Sequence, residues 1–112
     1  MLQTGFSRYF RNNVGVARYT DENGSKRVVR YGLASGSSDV IGWTTVRVTP
    51  EMVGRDVAIF TAIELKRGKD TLSEDQISFG RAVISGGGIA MVASDHIDAG
   101  LRMKAEIQRI TT

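Results

Sequence analysis

Apolar positions fall into short β-branched runs along most of the chain and take up helical spacing in its last third. The densest run is Asp56-Val57-Ala58-Ile59-Phe60-Thr61-Ala62-Ile63, which continues into Glu64-Leu65-Lys66 and stops at Arg67-Gly68-Lys69-Asp70. Such a run predicts a strand buried on both faces, in the middle of a sheet. With a side-chain period of two, Glu64 and Lys66 point to one face, and Ile63 and Leu65 to the other. A carboxylate and an ammonium at the end of a core strand are costly unless they meet each other, a metal or water. Taken alone, the pair is an ordinary strand end where polarity returns as the chain leaves the core.

The elements around this strand follow in order. Residues 1–6 are too few for a substantial helix, and Ser7 to Asn13 is mixed, with strand-like Tyr9 and Phe10. Val14 to Thr20 and Lys26 to Leu33 read as paired strands. Between them Asp21-Glu22-Asn23-Gly24 signals a tight turn, because Asn-Gly tolerates positive φ. Small residues from Gly32 to Ser38 suit a turn or a close approach to a ligand. Asp39 opens a strand running to Val46, and Pro50 to Gly54 is a connection with room for one helical turn. After Asp70 two helix starts compete, Thr71 with Glu74 and Ser73 with Gln76, each a capping box. With Thr71 as the cap the Gln76 side chain is free to reach the strand beside it, and with Ser73 as the cap it is spent on the helix end. The helix runs through Ile77, Phe79, Ala82, Val83 and Ile84 and ends at Gly86-Gly87-Gly88. Ile89 to Ala93 is a short buried strand, so a strand, a helix and a strand imply a parallel pair. Ser94 or Asp95 caps a last helix with an apolar stripe of Ala99, Met103, Ile107 and Ile110. His96, in its first turn, reads as a surface histidine.

Composition narrows the chemistry. The length of 112 residues suits one domain with a real core. With no cysteine and one histidine, thiolate zinc sites and multi-histidine sites are excluded within the chain. A metal would be held by oxygen, which suits magnesium, manganese or calcium. No signal peptide or membrane span is predicted. The net charge of +3 permits nucleic acid without demanding it. Charge is concentrated, however, around the hairpin, where Arg8, Arg11, Arg18, Lys26, Arg27 and Arg30 lie among Tyr9, Phe10, Tyr19 and Tyr31. That mixture suits phosphates and bases, or else is a solvated hairpin with sheet-forming aromatics.

Asp39 at a strand start, followed by Glu64-x-Lys66 at the end of the next long strand, can set two carboxylates beside one divalent cation. The lysine on the same side could orient an attacking water. The pattern alone is weak, but more of the chain agrees with it. Arg11-Asn12-Asn13-Val14-Gly15, Gly32, Gly36-Ser37-Ser38-Asp39-Val40-Ile41-Gly42, Ile63-Glu64-Leu65-Lys66, Gln76 and Gly86-Gly87 together resemble the PD-(D/E)xK nuclease superfamily, and within it the VRR-NUC family. The resemblance covers roughly residues 8–95.

The resemblance implies an α/β fold with a restriction-endonuclease-like core, in which a central mixed β-sheet is flanked by helices. It implies Asp39 and Glu64 as metal ligands with the backbone carbonyl of Leu65, Lys66 as the catalytic lysine, and Gln76 near the active site, which favours Thr71 over Ser73 as the helix cap. Mg2+ or Mn2+ is the implied cofactor, with no small-molecule cofactor. DNA, branched or duplex, is the implied partner, and small free-standing members resemble dimeric Holliday-junction resolvases, which suggests a cytoplasmic homodimer. The DNA contacts expected on this reading are Arg11, Asn12, Asn13, Arg27, Arg30, Ser37, Ser38, Arg67 and Lys69. Two departures stand out. The family's first helix, with its glutamate, is shortened or absent, since no acid precedes Asp21, and Ser38 replaces the usual proline. The alternatives are a DNA-binding relative that lost activity and a module that docks on replication proteins.

Overall fold

A computed structural model describes the backbone of residues 2–3 and the whole of residues 7–112. The expectation for residues 1–6 therefore lies outside the described residues, apart from the strand pairing of Leu2–Gln3. The chain is mixed α/β and forms two compact units, Met1–Thr44 and Thr45–Thr112.

The first unit is antiparallel. Strands β1 (Leu2–Gln3), β2 (Ser7–Arg11) and β5 (Val40–Thr44) form one sheet in the order β1-β2-β5. Register sets Ser7 against Thr44, and their hydroxyls lie 2.9 Å apart. On the other face Phe10 and Trp43 meet with ring centroids 5.6 Å apart. Strand β5 is shorter than predicted at both ends: Asp39 lies just before it, and Thr45 and Val46 lie beyond it. Aspartate's poor fit to a pleated ladder agrees with its place outside the strand.

Strands β3 (Gly15–Thr20) and β4 (Lys26–Tyr31) form a separate hairpin. Its turn is longer than an Asn-Gly two-residue loop. Gly24 alone in it takes positive φ (80°), and its N–H donates to the carbonyl of Asp21. The Asp21 carboxylate shapes the rest, accepting from the N–H groups of Asn23 and Ser25 at 2.9 Å each. An aspartate that closes its own turn replaces the tighter type I′ geometry.

The second unit carries β6 (Thr61–Leu65), helix α1 (Glu74–Ser85), β7 (Ile89–Ala93) and helix α2 (His96–Thr111). Strands β6 and β7 pair in parallel, with Glu64 beside Val92. Before them, Pro50–Met52 is a single 3-10 turn. Burial concentrates around β7: Val83 of α1, Ile89 and Ala93 are the buried apolar residues among those described. The predicted doubly buried strand is corrected here. Residues 56–60 are not strand, and along β6 exposed and half-buried positions alternate, with Ile63 42 % and Leu65 56 % exposed. The parallel partner covers only one edge, and helix α1 covers the Ala62–Glu64 face, as the Gly80–Ala90 approach indicates. In α2, Ala99 and Met103 are half-buried, whereas Ile107 and Ile110 are exposed.

Candidate active site

Glu64 sits one residue before the end of β6, on the strand face toward α1. Its carboxylate is met by the amide of Gln76 rather than by Lys66. Gln76 Nε2 donates to Glu64 Oε1 at 2.7 Å. Among the described residues the ion pairs are Arg27–Asp21, Arg102–Asp98 and Arg109–Glu106, so none joins Lys66 to Glu64. The Lys66 N–H donates to the carbonyl of Ala93 at 2.9 Å, which extends the parallel ladder one step past the strand.

Helix α1 decides how Gln76 reaches Glu64. Its N-cap is Ser73, not the favoured Thr71. Ser73 Oγ accepts from the Gln76 N–H at 3.1 Å, while the Ser73 N–H donates to Gln76 Oε1 at 2.9 Å. A glutamine amide has two ends. Here Oε1 closes the capping box and Nε2 is left to face the carboxylate. Capping and reaching the strand therefore occur together, although they read from sequence as alternatives. The Ser73 N–H can only donate, so it fixes which end of the amide points to Glu64. Both side chains line a groove of about 250 Å³ between α1 and the strands, with Ala62, Gly80, Ile84 and Ala90.

Arg67 and Lys69 are exposed in the turn after β6, where the Asp70 N–H donates to the Arg67 carbonyl at 3.1 Å.

Asp39 belongs to the first unit and is exposed. Its backbone is held by Asn12, whose N–H donates to the Asp39 carbonyl at 2.8 Å. The Asn12 side chain is 6 % exposed and committed within the fold. Nδ2 donates to Ser37 Oγ at 2.7 Å and to the Ser38 carbonyl at 2.9 Å, and Oδ1 accepts from the Leu33 N–H at 2.9 Å. Asn12 thus ties both ends of the 33–38 loop to the strand that precedes it. Expected among the DNA contacts, Asn12 is here a buried amide with its donors and acceptor engaged inside the fold. No sequence signal marks this role, since asparagine at a strand end reads equally well as a turn residue. Arg11, Asn13 and Ser38 are exposed. Ser37 is half-buried and engaged with Asn12.

Arg27 is also committed. Its Nε donates to Asp21 Oδ2 at 2.8 Å, and that contact, with the Ser25 N–H next, holds the Asp21 carboxyl below its ordinary value.

A family model of the VRR-NUC domain matches residues 11–95. The chain belongs to the VRR-NUC family. This VRR-NUC domain is a nuclease-type domain with DNA as its substrate, and the match spans Asp39, Glu64, Lys66 and Gln76. No curated protein and no solved structure matches the chain. Among the described residues, no helix is long and apolar enough to cross a membrane, and no group of three or more His, Cys, Asp or Glu side chains gathers as a ready-made metal site.

Proposed function

We propose that this domain is a metal-dependent DNA endonuclease in which Asp39 and Glu64 are ligands for magnesium or manganese and Lys66 orients the attacking water. The observation that carries the reading is the Glu64–Gln76 contact in a chain of this family. Gln76 occupies one carboxylate oxygen of Glu64 and leaves Oε2 for a cation. That donor set fits the metal: hard carboxylate oxygens of Asp39 and Glu64, with the Leu65 carbonyl, would hold magnesium or manganese. The bound ion supplies charge neutralisation at the phosphate and a lowered pKa for the water. Gln76 holds the Glu64 carboxylate in one orientation, Asn12 anchors the backbone at Asp39, and Lys66 donates to the nucleophile or to a phosphate oxygen.

The natural substrate in this proposal is branched DNA, such as a four-way junction, cut by a symmetric homodimer. One domain offers one site and one cut does not resolve a junction, whereas a two-fold dimer presents two sites with matching symmetry. The test is cleavage of supercoiled plasmid, linear duplex and four-way junctions, with magnesium or manganese and after chelation. Glu64→Ala should abolish turnover, and Lys66→Ala should keep metal binding but lose most turnover. Full activity of Glu64→Ala in a clean preparation sinks the proposal. Junction binding without turnover in either metal identifies a DNA-binding relative instead. A strict monomer that cuts linear duplex as well as junctions leaves an endonuclease but removes the resolvase.

A further inference from the structure

The hairpin register separates charges that the sequence mixes. Directly opposed residues of an antiparallel pair share a face. Ala17 opposes Val29, Tyr19 opposes Arg27, and Gly15 opposes Tyr31, whose ring crosses the position a Gly15 Cβ would fill. That is the aromatic face, and its one cation, Arg27, is neutralised by Asp21. The opposite face carries Val16 against Arg30, Arg18 against Val28, and Thr20 against Lys26. All six of these residues are exposed. No ion pair among the described residues involves Arg18, Lys26 or Arg30.

We propose that the Arg18–Lys26–Arg30 face of the hairpin is a phosphate-backbone contact for duplex DNA, and that Arg27 has no part in it. Lys26 and Arg30 stand about 13 Å apart along β4, at ~3.3 Å per residue, and Arg18 lies between them one strand over. Over that rise one DNA strand carries roughly four phosphates. Valines between the cations offer no donor or acceptor to base edges, so the contact positions the duplex without reading sequence. A two-stranded ribbon also has the width that a major groove admits. Like charges on one small face repel one another, and a polyanion is the partner that relieves this. The other role for such charges is to deter edge-to-edge strand pairing, which predicts no effect on DNA.

The inference rests on DNA being the substrate but not on the proposed metal chemistry, so its test measures binding without turnover. Anisotropy of a labelled duplex is followed against salt, in chelator, for the full chain and for Arg18→Gln/Arg30→Gln and Lys26→Gln variants. The double variant should lower the slope of log affinity against log salt by about two and Lys26→Gln by about one, at ~0.9 per phosphate contact. Arg27→Gln should leave the slope as it is. Unchanged slopes in the face variants, an equal loss in Arg27→Gln, or no duplex binding by the full chain overturns the assignment. Plasmid cleavage by the same variants at saturating protein keeps the two ideas apart. Cleavage with an unchanged slope defeats only the hairpin face, and a reduced slope without cleavage defeats only the nuclease mechanism.

Discussion

Gln76 shows how one side chain serves the helix end and the site together. Its two roles can be separated by substitution. Ser73→Ala removes the hydroxyl cap but leaves the Ser73 N–H on Gln76 Oε1, so it should cost about 1 kcal/mol of stability with turnover largely kept. Gln76→Ala removes the reciprocal cap and the donor to Glu64, and should lower both melting temperature and turnover. Chemical denaturation paired with cleavage rates checks this. Equal turnover in Gln76→Ala and the parent would leave Gln76 as a cap alone. Asn12 is the corresponding residue of the first unit. Asn12→Ala strands the Leu33 N–H and the Ser38 carbonyl together, so a loss of about 2–3 kcal/mol is expected. A variant melting within a degree of the parent would refute the clamp.

Among the elements, the loop between β4 and β5 and the start of α2 make distinct demands. Gly32 has φ +80°, and a Cβ there would press on the backbone of Asn13 and Val14. Gly32→Ala should therefore destabilise by about 2 kcal/mol or more, since strain and overlap add. Denaturation reads this directly, and a neutral result would mean that the loop adjusts without cost. At α2, Asp95 caps the helix by accepting from the Asp98 N–H at 2.8 Å, and Asp98 accepts from the Ser94 N–H at 2.9 Å. The Ser94 N–H, followed by Arg102, lowers the Asp98 carboxyl below 3.8. A depressed folded pKa contributes stability that is fully present above the unfolded value and is lost as pH falls through the folded one. The melting-temperature gap between the parent and Asp98→Asn should hold from neutral pH to about pH 5 and shrink on acidification below 3.8. A gap that widens toward acid would show that the carboxylate does not stabilise the helix start.

For the molecule as a whole, the nuclease proposal assigns metal binding to Asp39 and Glu64, and metal linkage tests each of them without any DNA. A cation bound only by the folded chain raises stability by about 2.7 kcal/mol at a hundredfold excess over its dissociation constant. Manganese should raise the melting temperature of the parent, and both Asp39→Ala and Glu64→Ala should remove the increase. An increase that survives either substitution removes that residue from the metal ligands. The dimer is tested separately by sedimentation of the free protein.

Much of this was legible in the residues. The α1–β7–α2 order followed from capping residues, terminal glycines and apolar spacing, because those signals are local and the chain satisfies them locally. That Gln76 approaches Glu64 was legible through the family resemblance. Choices settled by partners distant in sequence were not. Competing caps at Thr71 and Ser73 are equivalent until Glu64 is placed beside the helix, and Asn12 is a clamp only once the loop to Asp39 folds back on it. Strand β6 ends up alternating because its burial is set by what covers each face, which its own β-branched residues cannot specify. The hairpin charges divide into two faces because pairing register, a relation between two strands, assigns each side chain its side.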